Sequence, residues 1–272
     1  MGNLFFGRNW RRFLRSINEE RLAAARSSLA ESLRMEGLRG KTFLDIGCGS
    51  GIFSHAAFCL GADRVVSFDI DPLCVECCQH LRGKVGASGN WEIYQGSILD
   101  KGFVSGLGKF DIVYCFGTLH HTGRMWDAVK NSASSVKKGG VMYLGLYNKA
   151  EGRNGSEFWL KVKKFYVNSP GFVRSLICGG FITHLLISGL IHKEASIGNI
   201  KTIKSRRGMD WMTDVNDWLG GYPYEFAARD EVINFMKDHS SGFVLEEVVA
   251  SRGLANNKYL FVKHDRGVED GY

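Results

Sequence analysis

The chain has 272 residues, the length of one enlarged domain or of one domain that carries a sizeable insertion. A hydrophobic content of 44% and only three prolines exclude a disordered, collagen-like or proline-rich chain and favour a packed globular core. Lys and Arg number 35 against 28 Asp and Glu, which gives a formal net charge of +7. This excess favours an anionic substrate or surface, but the basic residues are too dispersed for a dedicated nucleic-acid binder.

The cysteines and the apolar segments indicate the compartment. Seven cysteines are an odd number, and residues 1–15 are basic and aromatic without the apolar stretch of a signal peptide. We therefore expect a reducing, cytoplasmic location. The most apolar run, residues 176–191, is shorter than the roughly 20 residues that span a bilayer. We expect no transmembrane helix, although a helix that lies on a membrane surface is compatible with this run.

Hydrophobic periodicity divides the chain into four parts. Residues 1–40 repeat apolar positions at helical spacing and predict one or two amphipathic helices. Residues 41–148 predict strands in alternation with helices, the strands at 42–47, 64–70, 91–96, 110–116 and 141–147 and the helices at 52–60, 73–81 and 125–136. Residues 149–225 lose this alternation and are interpreted as an inserted cap. Residues 226–272 supply a helix at 228–239 and strands at 243–249 and 258–263.

Strands and helices in alternation form βαβ units, which build a parallel sheet with helices on both faces. The predicted fold class is therefore α/β, a Rossmann-like, doubly wound and mostly parallel sheet of seven strands with a mainly helical cap inserted. The last two strands are expected to complete the core of residues 41–148 as antiparallel partners.

A glycine turn between the first strand and the first helix is the main chemical signal. Its sequence is D-I-G-C-G-S-G, from Asp45 to Gly51. Glycines let the backbone approach a ligand and leave free N–H groups at the start of the helix. Asp69, at the end of the next strand, is placed to accept hydrogen bonds from a ribose, whereas Asp71 is interpreted as the N-cap of the helix that Pro72 begins. Ile52 stands where a dinucleotide fingerprint has its third glycine, which disfavours a nicotinamide oxidoreductase.

Four motifs together resemble those of the class I S-adenosylmethionine-dependent methyltransferases over about residues 41–148: D-I-G-C-G-S-G, S-F-D-I-D, F-D-I-V-Y-C-F-G-T-L-H-H-T and K-K-G-G-V-M-Y. The resemblance implies that S-adenosylmethionine is the cofactor. It implies that the glycine turn surrounds the methionine part, that Asp69 holds the ribose and that Ser97 replaces the aspartate that faces the adenine amine in many relatives. The candidate cofactor residues are Asp45, Gly47, Cys48, Gly49, Gly51, Asp69, Ile70, Ser97, Ile98 and Cys115.

A looser resemblance joins the chain to a quinone-methylase-like, methyltransferase-domain subgroup found among cell-surface sugar genes. It is carried by L-G-L-Y-N-K, W-L-K-V-K-K-F-Y and D-W-L-G-G-Y-P-Y-E. This likeness names no substrate, because the same fold serves many acceptors.

Methyl transfer to a hydroxyl needs alignment of the acceptor and a base that removes its proton. His120 and His121 follow the fourth strand, and the carboxyl ends of parallel strands are where ligands bind in this architecture. His121 is the first candidate for the base and His120 the second; the alternative is that both are packing residues. With an ordinary imidazole pKa near ~6.5, the rate is expected to rise with pH through the neutral region.

The cap supplies candidate substrate contacts that combine aromatic faces with short polar side chains. Such mixtures grip carbohydrates and ring-shaped molecules, although a lid that folds on its own aromatic core would show the same composition. The candidates are Trp211, Asp217, Trp218, Tyr222 and Tyr224. Lys161, Lys163 and Lys164 are interpreted as a solvated helix face, and the basic run 201–207 as a site for an anionic group of the substrate.

No metal site is expected, because Cys74, Cys77, Cys78 and His80 lack a second ligand pair and are interpreted as packing. The favoured function is O-methylation of a small molecule or sugar-type metabolite. Methylation of a tRNA uridine or of a quinone is the alternative among enzymes, and a non-catalytic cofactor-binding adaptor is the alternative of another class. The expected partner is a small-molecule or glycan acceptor; nucleic acid is less favoured, and peripheral membrane contact is compatible.

Overall fold

The computed structural model describes residues 7, 10, 11, 14, 17–86, 89–191, 215, 218–251 and 253–264, and only the backbone of 184–191. In chain order the helices and strands are α1 (Glu19–Leu33), β1 (Thr42–Ile46), α2 (Ile52–Cys59), β2 (Arg64–Asp69), α3 (Pro72–Lys84), β3 (Trp91–Gln95), α4 (Lys101–Leu107), β4 (Phe110–Phe116), α5 (Met125–Ser134), β5 (Val136–Tyr147), α6 (Ser156–Asn168), α7 (Gly171–Ile191), α8 (Arg229–His239), β6 (Phe243–Val249) and β7 (Asn256–Lys263). A single 3₁₀ turn, Leu119–His121, follows β4.

The strands form one sheet in the order β3-β2-β1-β4-β5-β7-β6. The five strands from β1 to β5 are parallel, whereas β7 is antiparallel to both of its neighbours, β5 and β6. The predicted fold class is thus confirmed. The chain proceeds outward from β1 to β3 and then returns to the other side of β1 with β4, so the carboxyl ends of β1 and β4 border the crevice where ligands bind in open α/β sheets.

Both faces of the sheet are covered, so most residues of the central strands are apolar and buried. On β1, Phe43 packs in the cluster that includes α1, α2 and α3, and Leu44 packs in the cluster that includes α4, α5 and α8. Helix α1 contributes a stripe at helical spacing, namely Leu22, Ala25, Leu29 and Leu33. The sheet therefore holds the ends of its strands at fixed positions relative to both helical layers.

Two strands begin earlier than predicted, and one helix was not predicted. Strand β5 begins at Val136, five residues before the predicted 141, because the K-K-G-G segment pairs beside a register shift between Phe110 and Ile112. Helix α4 was not predicted, since seven residues with two glycines carry a weak helical pattern; its N-cap Asp100 accepts the Phe103 N–H at 3.0 Å. Strand β7 begins at Asn256 and not at the predicted 258.

Residues 149–225, the cap, lie between β5 and α8 in the chain and have a small hydrophobic core of their own. Tyr166 of α6 is buried with Val215 and Leu219, and side chains of α6 and α7 pack around them. Within the part of the chain that the structure describes, no helix is long and apolar enough to cross a bilayer.

The amino-terminal ends of β1, β4 and β5 are joined by a charged cluster around Asp111. Its Oδ2 accepts hydrogen bonds from Thr42 N at 2.8 Å, Thr42 Oγ1 at 2.7 Å and Lys137 Nζ at 2.8 Å. Burial opposes the ionised form, but the hydrogen bonds from Lys137 and Thr42 outweigh it and lower the pKa of Asp111 to about 2.

We expect Asp111→Asn to lower the free energy of unfolding by about 1–3 kcal/mol, because hydrogen bonds to a charged acceptor are lost. The pKa is lower in the folded state, so this contribution is complete above the unfolded value near ~3.9 and disappears as the pH falls toward about 2. Urea unfolding at pH 7 and at pH 3 measures it, with Asp238→Asn on the exposed face of α8 as the control. An equal difference from the wild type at both pH values would contradict the charged cluster.

Candidate active site

The glycine turn after β1 is closed by backbone hydrogen bonds to the neighbouring strand. The N–H groups of Gly47 and Cys48 both donate to the Phe68 carbonyl, at 2.9 and 3.1 Å. Gly47 has φ +69°, and a Cβ there would collide with Thr118 in the loop after β4. Gly51 has φ +80°, and a Cβ there would lie 2.8 Å from the Cys78 Cα of α3. Only glycine fits these two positions, so the turn lies directly between β4 and α3.

Asp69 ends β2 beside this turn. Its Oδ2 accepts the Gly49 N–H and its Oδ1 accepts the Asp71 N–H, both at 3.0 Å. Burial raises the pKa of Asp69 although these hydrogen bonds act in the opposite direction. A carboxylate has about four acceptor positions, so further hydroxyl groups can still donate to it. The interpretation of Asp71 as an N-cap is confirmed: its carboxylate accepts the Leu73 N–H at 2.9 Å.

Asp45 is buried at the end of β1 and lies at the end of a chain of side-chain hydrogen bonds. Trp91 Nε1 donates to Ser67 Oγ at 2.9 Å, Ser67 Oγ to Ser54 Oγ at 2.7 Å and Ser54 Oγ to Asp45 Oδ2 at 2.5 Å. An ionised carboxylate can only accept, so Ser54 donates to Asp45 and Ser67 in turn donates to Ser54. Burial raises the pKa of Asp45 to about 7, against the hydrogen bond from Ser54, and the charge of Asp69 raises it further.

The other candidate cofactor residues divide into exposed and buried ones. Ile70 is 53% exposed at the rim beside Asp69, and Ser97 Oγ accepts the Leu99 N–H at 3.2 Å within its own loop. Ile98 and Cys115 are buried in the core, so a ligand can meet only their backbone. Cys48 is buried, and the Cys78 thiol and burial raise its pKa. Asn131 of α5, which we did not predict, holds the Ile98 carbonyl at 2.8 Å.

Residues near the amino terminus also reach the glycine turn. Gly7 N donates to Asp71 Oδ2 at 2.9 Å. The Trp10 ring lies next to Gly49, where a Cβ would be 3.1 Å from Trp10 Cε2. The sequence predicts a helix here but gives no sign of this neighbour, because the contact joins positions about forty residues apart.

His121 lies in the 3₁₀ turn after β4, and its ring is oriented by the cap. Its Nδ1 lies 2.7 Å from the Pro223 carbonyl, which can only accept, so Nδ1 carries the proton and Nε2 carries the lone pair. Burial lowers the pKa of His121 to about 3, the Pro223 carbonyl raises it in part, and the charge of Lys163 lowers it. The expectation of a titration near neutral pH was therefore wrong, because desolvation of the half-buried ring opposes its charged form.

His120 has the opposite tautomer. Its Nδ1 accepts the Tyr147 N–H at 3.3 Å, which assigns the proton to Nε2, and its side chain is completely buried. Burial lowers the pKa of His120 well below its ordinary value, and the charges of His121 and Lys163 act in the same direction. The two neighbours thus offer different groups, a donor on His120 and an acceptor on His121.

Aromatic rings and one lysine surround this histidine pair. The Tyr147 ring lies 3.9 Å from the His120 ring and 5.0 Å from the Tyr224 ring. Lys163 is fully buried, and its Nζ lies 4.1 Å from the centre of the Trp218 ring and 4.7 Å from that of Tyr224. The interpretation of a solvated helix face was therefore wrong for Lys163, which shares the inner face of α6 with Tyr166, although Lys161 and Lys164 are exposed.

The predicted substrate residues of the cap have different places. Tyr224 is buried beside Tyr147, whereas Trp218 stacks on Phe181 at 4.9 Å and contacts Trp159 at 4.4 Å within the small core of the cap. Tyr222 is half-buried just before Pro223. Trp211 and Asp217 lie outside the described residues.

Glu225 anchors the end of the cap to the histidine turn. Its backbone N–H donates to the His120 carbonyl at 2.9 Å, and its carboxylate accepts the Met125 N–H at the start of α5. Tyr147, Lys163 and Glu225 were not among the predicted site residues. Tyr147 could have been found, because it ends a parallel strand on the same edge as His121; Lys163 and Glu225 act through contacts distant in sequence.

Comparison with known proteins agrees with this geometry. Residues 44–144 match the family described as "Methyltransferase domain". The ribosomal protein L11 methyltransferases of Tolumonas auensis and Edwardsiella ictaluri are 47% and 46% identical to the chain over 57 residues. These matches cover 21% of this chain and 20% of each relative.

Solved structures share the fold at low identity. Magnesium protoporphyrin IX methyltransferase from Synechocystis PCC 6803, with bound S-adenosylhomocysteine, has a TM-score of 0.55 at 18% identity and covers 94% of this chain and 93% of its own. The N-methyltransferase from Bradyrhizobium japonicum WM9, in complex with S-adenosylhomocysteine, has a TM-score of 0.51 at 13% identity and covers 96% of this chain and 99% of its own.

The O-methyltransferase family protein from Burkholderia thailandensis has a TM-score of 0.53 at 12% identity, over 90% of this chain and 57% of its own. These relatives share a strand arrangement and not a common acceptor. Residues 44–144 therefore form a methyltransferase domain, and the seven-stranded sheet that contains them has the fold of the class I S-adenosylmethionine-dependent methyltransferases.

Proposed function

We propose that the protein transfers the methyl group of S-adenosylmethionine to a hydroxyl of a small, ring-shaped molecule such as a sugar-type metabolite. The observation that carries this proposal is the orientation of His121. Its Nδ1–H is held by the Pro223 carbonyl, so the proton-accepting lone pair of the ring is on Nε2, at the carboxyl end of β4.

The residues around the glycine turn fit this cofactor. Thr118 and Cys78 leave no room for a side chain at Gly47 and Gly51. The backbone of these two glycines would border the methionine part of the cofactor. The ionised Asp45 would hold the ammonium group, and Asp69 would accept the ribose hydroxyls with its remaining lone pairs. Ile70, Ser97 and the backbone of Ile98 would border the adenine, and Cys48 and Cys115 would contribute backbone contacts.

When bound, S-adenosylmethionine supplies an electrophilic methyl group on a sulfonium. His121 would take the hydroxyl proton at Nε2 as the oxygen–methyl bond forms and the methyl–sulfur bond breaks with release of S-adenosylhomocysteine, and the Pro223 carbonyl would stabilise the imidazolium. His120 is completely buried, and its ring packs against those of His121 and Tyr147. Because burial keeps both rings neutral, neither histidine repels the positive sulfonium.

The side chains beside the histidines indicate the class of acceptor. The Tyr147 ring is half-buried beside them and packs on Tyr224, and Tyr222 precedes Pro223 in the same segment, whereas Trp218 belongs to the core of the cap. Aromatic faces favour a flat or ring-shaped acceptor. This combination supports a ring-bearing acceptor of metabolite size.

The nature of the acceptor atom can be tested directly. S-adenosylmethionine with a ¹³C-labelled methyl group is incubated with the protein and with a small-molecule extract of cells that lack the gene. We expect new signals with the ¹³C chemical shift of O-methyl groups. Signals of N-methyl groups would overturn the O-methyl assignment, and the absence of any labelled product would favour the non-catalytic adaptor.

Asp69→Ala is expected to weaken S-adenosylmethionine binding by roughly 1.5–3 kcal/mol, the range for hydrogen bonds to a charged group. Isothermal titration calorimetry measures the dissociation constant. Asp100→Ala removes a carboxylate at the N-cap of α4, outside the glycine turn, and serves as the control for folding. A folded Asp69→Ala protein that binds as tightly as the wild type would exclude the ribose role.

Ser54→Ala is expected to raise the pKa of Asp45 further above about 7, because the buried carboxylate loses its hydrogen bond. In the proposed site only the ionised form of Asp45 binds the ammonium group, so cofactor affinity at neutral pH should fall. The pH at which affinity rises should be higher by about one unit than in the wild type. Calorimetry between pH 6 and pH 8.5 measures the shift.

Trp91→Phe should move the pH profile in the same direction but less far, since it removes only the first donor of the chain. Trp126→Phe is the matched control, because that ring packs on Phe235 of α8. Equal pH profiles in the wild type and in Ser54→Ala would show that Asp45 does not meet the ammonium group.

His121→Ala is expected to lower turnover by about 10²–10⁴ while cofactor affinity stays close to that of the wild type. His120→Ala should have a smaller effect. With the cofactor saturating, the wild-type rate should show no step from the titration of His121 between pH 5 and pH 8, because the pKa of His121 is about 3. Transfer of tritium from labelled S-adenosylmethionine measures both. Normal turnover of His121→Ala with the acceptor found above would show that alignment alone suffices.

A further inference from the structure

The cap exposes large apolar side chains on two successive helices. On α6, Phe158 is 43% and Phe165 63% exposed; on α7, Phe172 and Leu176 are each 70% exposed. The other large exposed apolar residues of the described chain lie elsewhere, beside Asp69 or on the two edge strands, β3 and β6. We call the exposed face of α6 and α7 that these four residues mark the cap face.

Helix α7 is two-sided over its described side chains. Ile177, Cys178, Phe181 and Ile182 pack into the small core of the cap. The exposed stripe recurs at helical spacing and contains no charged residue; it consists of Phe172, Ser175, Leu176, Gly179, Gly180 and Thr183. The core of the cap is thus formed by one side of α7, and the apolar residues on the other side are not needed for it.

Positive charge is concentrated in the same part of the chain. Residues 149–224 contain eleven Lys and Arg against six Asp and Glu, a surplus of five out of the net +7. On α6, Lys161 is exposed at the helical spacing i, i+3 from Phe158 and i, i+4 from Phe165, and Lys164 is exposed next to Phe165. Arg174 ties the two helices together, because its guanidinium donates to the carbonyls of Tyr166 and Val167.

We propose that the cap face docks on an anionic lipid surface, with α7 lying in the plane of the interface. Phe172 and Leu176 enter the boundary between headgroups and acyl chains, and the lysines of α6 remain at the level of the anionic headgroups. This arrangement of apolar and basic side chains fits a bilayer, whose surface is charged and whose interior is apolar. A nucleic acid would instead need basic side chains along the stripe, where there are none.

The test is sedimentation of the full chain with vesicles of phosphatidylcholine alone or with about one third phosphatidylglycerol. We expect binding at least tenfold tighter to the anionic vesicles and weakening with salt. The double variant Phe172→Ser/Leu176→Ser should reduce binding to anionic vesicles at least tenfold. The double variant Lys161→Gln/Lys164→Gln should reduce it about 10- to 30-fold, because each charge near the surface contributes roughly a factor of five. The readout needs no methyl transfer, so it is independent of the proposed function.

Val244→Ser/Val249→Ser is the matched control, because these valines are 53% and 48% exposed on the edge strand β6. It should bind vesicles like the wild type, and circular dichroism checks that all variants are folded. The proposal is overturned if the wild type binds neither vesicle or if the control loses as much binding as the cap-face variant. It is also overturned if light scattering finds a wild-type dimer that Phe172→Ser/Leu176→Ser dissociates, since a second copy would then cover the cap face.

Discussion

The contact between Gly47 and Thr118 is the constraint on which the site depends. The turn after β1 and the loop after β4 can approach so closely only because Gly47 has no side chain. The Thr118 hydroxyl also donates to the Gly47 carbonyl at 3.3 Å, so the two strand ends are held together. The glycine turn, Asp69 and the histidine turn consequently border one crevice, because β2, β1 and β4 are parallel neighbours and end at the same edge of the sheet.

Burial gives the polar groups of this crevice their chemical character. It raises the pKa of Asp45 and Asp69 and lowers that of His120 and His121, in each case because a charge is costly away from water. Hydrogen bonds then favour one form of each group. The hydrogen-bonded chain that begins at Trp91 stabilises the ionised form of Asp45, and the Pro223 carbonyl fixes the tautomer of His121. The end of the cap is therefore fixed to the histidine turn, since Pro223 accepts a hydrogen bond from His121 and the Glu225 N–H donates to the His120 carbonyl.

Much of the fold could be predicted because the pattern is local. The strands β1 to β4 alternate with helices at the expected spacing, and Asp71 before Pro72 marks the start of α3. Helix α4 escaped prediction because its two glycines weaken a seven-residue pattern, and the early start of β5 escaped it because K-K-G-G is typical of a turn. In the site, the pair at 120–121 could be located from its position after a parallel strand, whereas Lys163 was hidden in a run of lysines of which only its neighbours face solvent.

The sequence by itself determined the order of elements, the parallel sheet and the place of the glycine turn and its acid, because these follow from periodicity and from residues adjacent in the chain. The tertiary structure decided which histidine nitrogen carries the proton, which lysine is buried and which serines support Asp45. Each of these depends on a partner distant in sequence: Pro223 lies 102 residues from His121, and Trp91 lies 24 residues from Ser67. The ionisation and the tautomer of a group are set by the neighbours that replace water, and only the folded chain brings those neighbours together.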